Sequence, residues 1–201
     1  MWKRFFDIIV SVVGLVILSP FMFLAALAII ITDGFPIIFK QQRAGLHGKM
    51  FTIYKFRSMT NVLVKDATAD LGNTNRITRV GAILRKTKFD EVPQLFNVLK
   101  GDMSIVGPRP ELSVWLNSYA DRWVKVHSVK PGITDNASIV YRNEEELLAS
   151  ADNPKSYYRD EILPHKLSMY EDYVDNHGLW YDIRIILKTI GVVLGKSYDK
   201  V

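Results

Sequence analysis

Apolar residues run almost unbroken from Ile8 to Thr32 with no charge among them, and Ser19-Pro20 interrupts the run near its middle. As a straight helix these 25 residues reach roughly 38 Å, enough for a hydrocarbon core of about 30 Å. Proline lacks an N–H and crowds the carbonyl one turn back. Pro20 is therefore expected to break the helix into two arms of about 17 Å, each too short to cross alone. Ser19 offers a hydroxyl to the backbone group that the proline leaves free. Lys3 and Arg4 precede the run, and Lys40 and Arg43 follow it. Cations favour the cytoplasmic side, so a segment flanked by them at both ends suits entry and return better than crossing. A tilted single span and a cleaved leader ending near Ala26-Leu27-Ala28 are the alternatives, although Ile29-Ile30-Ile31 continues the run where a leader turns polar.

Beyond the turn signal Asp33-Gly34, Pro36 to Gln41 reads as a strand, and Gly45-Leu46-His47-Gly48 as the turn into a second strand, Met50 to Met59. In this hairpin a period of two puts Phe51, Ile53, Lys55 and Arg57 on one face. Asn61 to Asn75 is polar and aperiodic, a surface loop with mobile parts. From Arg76 to Lys88 there are five cations and no acid, with Ile77, Val80, Ile83 and Leu84 at helical spacing, an amphipathic basic helix suited to a membrane surface. Val92, Leu95, Phe96 and Leu99 predict a helix from near Asp90, with Pro93 in its first turn and Gly101 as its stop. Gly107-Pro108-Arg109-Pro110 cannot be helix interior and sets Arg109 on a rigid turn. Residues 111–127 read as helix, Pro131-Gly132 as a turn, and Glu144-Glu145-Glu146-Leu147-Leu148 as another helix start. Ile183 to Leu194 is an apolar helix with Arg184 and Lys188 on one side, either core or a second interfacial helix. The fold class expected is α/β, mostly helical with a small β-hairpin or sheet.

Composition narrows this picture. Of 201 residues, those outside the membrane segment (about 170) suit one compact domain. The chain has no cysteine, which excludes disulfides, thiolate chemistry and Cys-based zinc sites. Residues 1–100 carry 14 Lys/Arg against 6 Asp/Glu, and residues 101–201 carry 12 against 15, so the halves are +8 and −3. A basic half beside a membrane segment points to anionic lipid head groups or phosphorylated substrates. No helix-turn-helix, zinc-finger or aromatic RNA-binding signature is present, so nucleic acid is not an expected partner.

Asp90-Glu91 directly follows the densest cationic stretch, at a predicted helix start whose unpaired N–H groups favour carboxylates and phosphate oxygens. Adjacent helical residues diverge by about 100°, so the two carboxylates would not share one proton. Two roles follow: one attacks or binds metal, the other orients or handles protons. From spacing alone, an N-cap followed by a helix-start acid is the alternative. Lys55, Arg57, Arg85 and Arg109 are candidate phosphate clamps, or else solvated or lipid-facing cations. No Walker loop, Gly-x-Gly-x-x-Gly or serine-nucleophile motif occurs, and the four histidines lack metal-ligand spacing.

Together these segments resemble the monotopic phosphoglycosyl transferases, the bacterial sugar-transferase family that starts glycan assembly on a polyprenol carrier. The likeness runs through the basic-apolar N-terminus with Ser19-Pro20, the strand Ile53-Tyr54-Lys55-Phe56-Arg57-Ser58-Met59, the segment Arg85 to Leu99 containing Asp90-Glu91, Lys100-Gly101-Asp102-Met103-Ser104, Gly107-Pro108-Arg109-Pro110 and Lys130-Pro131-Gly132-Ile133-Thr134. It implies transfer of a sugar phosphate from a UDP-sugar to undecaprenyl phosphate with release of UMP, the first membrane step of a glycoconjugate. Asp90 would be the nucleophile of a covalent aspartyl phosphosugar, Glu91 its partner, and Mg²⁺ would sit beside Asp90. It also implies a re-entrant membrane helix over residues 1–33, broken at Ser19-Pro20, and a catalytic domain over residues 34–201 on the cytoplasmic face of the bacterial inner membrane. The partners expected are a UDP-sugar, undecaprenyl phosphate and membrane lipids, with a homodimer left open. Many relatives continue Pro-Gly-Ile-Thr with Gly-x-Ala-Gln-Val-Asn-Gly-Arg. Here Asp135-Asn136-Ala137-Ser138-Ile139-Val140-Tyr141-Arg142 stands instead, so Arg142 is a candidate substrate contact by position and the sugar stays open. A non-catalytic, lipid-binding scaffold of the same fold is the alternative.

Overall fold

The computed structural model describes residues 2–60 and 74–195. In chain order they form helix α1 (Trp2–Asp33), strands β1 (Ile38–Ala44) and β2 (Met50–Phe56), helices α2 (Arg79–Lys86) and α3 (Gln94–Lys100), strand β3 (Ser104–Val106), helix α4 (Ala120–Val126), strand β4 (Gly132–Thr134), and helices α5 (Asn136–Val140), α6 (Glu144–Ala149), α7 (Pro154–Tyr157), α8 (Leu163–Asn176) and α9 (Leu179–Val193). The result is mostly helical with two small two-stranded sheets, one antiparallel (β1-β2) and one parallel (β3-β4). The expected polar loop Asn61–Asn75 lies, for residues 61–73, outside the described residues.

α1 is 32 residues long, and the break expected at Ser19-Pro20 does not end it. Pro20 has no N–H to give the carbonyl of Val16, but the Ser19 hydroxyl donates to that same oxygen at 2.8 Å, so the helix loses a backbone bond without leaving the acceptor empty. α1 buries one stripe, Asp7, Ser11, Ala25 and Ile29, with Gly14, Leu18 and Met22 half-buried between them. Asp7 Oδ1 accepts from Ser104 Oγ and the Ile105 N–H, both at 3.0 Å, and Arg4 donates to the carbonyls of Val98 and Leu99 at 2.5 and 2.8 Å. Lys3 pairs with the buried Asp182 of α9. At the other end Ala25 and Ile29 pack on Phe56 and Leu84. Both ends of α1 therefore rest on the same domain.

Three apolar clusters hold that domain. Ala25, Ile29, Phe56 and Leu84 join α1 to β2 and α2; Ile53, Leu95, Val98, Met103, Ile105, Val106, Tyr173 and Ile185 join the hairpin, α3, β3, α8 and α9; Trp115, Trp123, Leu148, Leu163, Leu167 and Tyr170 fill the centre of the C-terminal helices. The hairpin forms, but its first strand is Ile38–Ala44 rather than Pro36 to Gln41 and its second ends at Phe56 rather than Met59, with Lys55 opposite Phe39 and Ile53 opposite Gln41. Three further local expectations change. Residues 111–127 are not one helix: a 3₁₀ turn at Ser113–Trp115 is followed by α4, with Tyr119 left-handed (φ 62°) between them. Gly132 is not merely a turn residue, since it pairs with Ser104 in the parallel sheet, a long-range bond that no local pattern encodes. The helix expected from Asp90 begins at Gln94, and Asp90 and Glu91 sit in a preceding 3₁₀ turn, Phe89–Glu91. Lys88 turns the chain there in a left-handed conformation (φ 57°), which a helix running on from α2 cannot contain.

Candidate active site

Three elements converge on the Phe89–Glu91 turn. β2 is fastened to α3 by Asn97, which donates to the Thr52 carbonyl at 2.7 Å and accepts from the Tyr54 N–H at 3.1 Å. Phe56 stacks on Phe89 with ring centres 6.2 Å apart, which holds the turn against the hairpin. On the other side, Gly81 of α2 lies on the Ser58 carbonyl so closely that a Cβ would overlap it. That approach brings Arg85, one turn further along, to Ser58, where its Nη1 donates to Oγ at 3.3 Å. The Arg109 turn is held by the parallel sheet: the Gly107 N–H donates to the Thr134 carbonyl at 3.1 Å, and Arg43 donates to the Pro110 carbonyl at 3.2 Å.

The two buried carboxylates have opposite surroundings. Glu91 Oε1 accepts from Lys55 Nζ at 2.7 Å and from Arg109 Nη2, and its Oε2 accepts from Arg109 Nη1 at 3.2 Å. Burial alone would raise its pKa, but the charges of Arg109 and Lys55 and their hydrogen bonds overcome this and hold it well below the usual carboxylate range. Asp90 makes no side-chain hydrogen bond or ion pair among the described residues, and its Oδ1 is buried without a partner. Burial pushes its pKa up, with Glu91 adding to the rise, while Lys55, Arg85 and Lys88 pull it down. One carboxylate is thus locked as an anion in a bidentate pair, and the other is kept open among cations.

Of the expected residues, Lys55 and Arg109 bind Glu91, and Arg85 stands close enough to act on both carboxylates. Arg57 does not share a face with Lys55 as expected. β2 ends at Phe56, and the Arg57 guanidinium donates to the Gly34 and Phe35 carbonyls at 2.6 and 2.8 Å, pinning the exit of α1. Arg142 donates to the Val192 carbonyl and so joins the segment after α5 to the end of α9. Lys88 is a group that the sequence reading passed over. Its pKa is lowered by burial and by Arg109, and it feels both Glu91 and Asp90. Its signal is present, a cation two places before Asp90, but the pattern makes it only the last cation of the basic helix expected over Arg76 to Lys88. Four cations, Lys55, Arg85, Lys88 and Arg109, thus surround two carboxylates, an excess of positive charge that suits an anionic ligand of the size of a diphosphate.

No group of three or more His, Asp or Glu gathers to hold a metal among the described residues. The open oxygen of Asp90 fits a hard cation of the Mg²⁺ kind, which takes one or two carboxylates and completes its shell with waters and substrate phosphates. Both oxygens of Glu91 are already occupied by cations.

Among known proteins, the family model described as bacterial sugar transferase matches residues 1–196. The chain is 41% identical to the undecaprenyl-phosphate galactose phosphotransferase of Salmonella typhimurium, over 97% of this chain and 41% of that protein. It is 38% identical to the uncharacterized sugar transferase EpsL of Bacillus subtilis, over 96% of this chain and 87% of that protein. To the UDP-N-acetylgalactosamine-undecaprenyl-phosphate N-acetylgalactosaminephosphotransferase of Aeromonas hydrophila it is 36% identical, over 96% of this chain and 43% of that protein. The chain therefore spans less than half the length of the first and third of these relatives.

Proposed function

The chain belongs to the bacterial sugar transferases, and from that premise we propose that it transfers a sugar 1-phosphate from a UDP-sugar to undecaprenyl phosphate and releases UMP. The observation that carries this reading is the asymmetry of the pair: Glu91 is neutralised by Lys55 and Arg109, while Asp90, buried beside it, keeps an unpartnered oxygen. An Asp90 oxygen attacks the sugar-bearing phosphorus of the donor. The bond from that phosphorus to the bridging oxygen breaks, and UMP departs with the electron pair. A phosphate oxygen of undecaprenyl phosphate then attacks the same phosphorus, the aspartyl bond breaks, and the Asp90 carboxylate is restored. Lys55, Arg85, Lys88 and Arg109 hold the equatorial oxygens and offset charge that builds on the leaving phosphate. Glu91 keeps Lys55 and Arg109 in place. Asp90 is the residue that would hold Mg²⁺, and the ion would supply further neutralisation of phosphate charge.

Such chemistry needs a soluble donor and a lipid acceptor at one site, hence a site at the membrane interface. Two features support that placement. α1 is long and apolar enough to cross a membrane, and its outer face exposes Val16, Ile17, Phe21, Phe23, Leu24 and Ile31. Yet both of its ends bind the same domain, which favours a helix that enters and returns over one that carries its far end away. α9 exposes Trp180, Leu187, Ile190 and Val193 and carries Arg184 and Lys188, the pattern of an interfacial helix. We place the domain on the cytoplasmic face of the bacterial inner membrane, where nucleotide sugars and flanking cations both belong.

The test is UMP release by the purified protein with undecaprenyl phosphate, Mg²⁺ and a panel of UDP-sugars, which also assigns the sugar. Asp90→Asn should abolish turnover and covalent labelling by the active donor, a loss of at least about a thousandfold if the nucleophile itself is removed. Normal transfer by Asp90→Asn would refute the mechanism, and no UMP from any donor would favour a lipid-binding scaffold.

A further inference from the structure

α6 begins with three consecutive acids, Glu144, Glu145 and Glu146, and each meets different surroundings. Glu144 is anchored from within the domain. Lys166, whose side chain is 4% exposed, pairs with Glu144 Oε2 at 2.5 Å and with Glu111 Oε1 at 3.6 Å, and Glu111 closes the Arg109 turn. Glu146 is exposed and forms no ion pair among the described residues. Glu145 reaches out to α2 and pairs with Arg85. Among the described residues Arg85 therefore has two partners, Ser58 and Glu145, and neither of them is Asp90, although the Asp90 charge also acts on it.

This arrangement needs a physical cause. A guanidinium beside an open, buried carboxylate ordinarily closes on it in a bidentate pair, as Arg109 does on Glu91. Such a closure at Asp90 would occupy the oxygen that attacks phosphorus and remove a donor from the phosphate site in one step. Glu145 offers Arg85 a competing carboxylate on the outer side. That carboxylate is 49% exposed, so the pair is screened by water and readily exchanged. A diphosphate brings more charge and several oxygens in place of one half-solvated carboxylate.

We propose that Glu145 is a positioning residue for Arg85: it parks the guanidinium away from Asp90 in the empty enzyme and yields it to the donor's diphosphate. It returns when UMP, with a single phosphate, is left in the site, and so competes with product. The proposal rests on the assignment of Arg85 as a phosphate clamp made above.

UDP and UMP are the probes, because neither depends on the sugar, and their binding to the full chain in detergent with Mg²⁺ is read by calorimetry. Glu145→Gln removes the competing charge, and both nucleotides should then bind about two- to fivefold more tightly, the range of a half-exposed ion pair. Glu146→Gln should bind as the unaltered protein does. A gain in affinity is a readout that damaged packing would not produce. Equal or weaker binding by Glu145→Gln, with Arg85→Lys weakened, would overturn the parking role and leave the clamp standing. Unchanged binding by Arg85→Lys would remove the clamp itself and the proposal with it.

Discussion

Keeping Asp90 open works against folding. Its pKa is raised from an ordinary 3.8, chiefly by burial, so the folded state binds its proton more tightly than the unfolded chain does. Below pH 3.8 both states are protonated and the residue is neutral in its effect; as pH rises through the folded value, its ionisation destabilises the fold. Asp90→Asn should therefore be more stable than the unaltered protein at pH 7, with the advantage disappearing below about pH 3.8, as measured by denaturant unfolding in detergent across that range. Glu91 has the opposite sign. Its folded pKa lies well below 4.5, so its contribution is full above 4.5 and is lost as pH falls through the folded value. Asp90 and Glu91 were legible as a pair because they follow a run of cations. Which of them would be neutralised was not legible, because that depends on Lys55 and Arg109, which lie 36 and 18 positions from Glu91 in the chain.

The same distinction governs the elements. α1, α2, α3 and the hairpin follow from hydrophobic period and from turn residues such as Gly101, whose left-handed φ of 92° closes α3. Boundaries set by long-range contacts did not follow: α2 stops at Lys86, and the chain turns at Lys88 because Phe89 is drawn onto Phe56. The docking of α1 is also long-range. Asp7→Ala should leave the Ile105 N–H unpaired in the interior at a cost of about 1–3 kcal/mol, seen as a lower thermal midpoint. Gly81→Ala tests the approach of α2: its Cβ overlaps the Ser58 carbonyl, so α2 must move outward, taking Arg85 with it, and UDP affinity should fall even where the protein stays folded.

At the scale of the whole molecule, the proposed chemistry depends on the disposition of α1. The chain has no cysteine, so Trp2→Cys and Pro36→Cys can be labelled singly in sealed membrane vesicles. Both should react with an impermeant reagent from the same side; reaction from opposite sides would establish a crossing helix and remove the re-entrant arrangement. The sequence alone pointed to a membrane segment, to anions as the expected partners of the basic half and to Asp90-Glu91 as the pair to examine, because composition, period and local spacing are properties of neighbours in the chain. The tertiary structure alone decided that Arg57 and Arg142 hold backbone carbonyls and that Glu145 reaches Arg85. Each of these is a choice among partners for a polar group, and such a choice is made only when folding brings the candidates within hydrogen-bonding distance and removes the water that would otherwise serve them equally well.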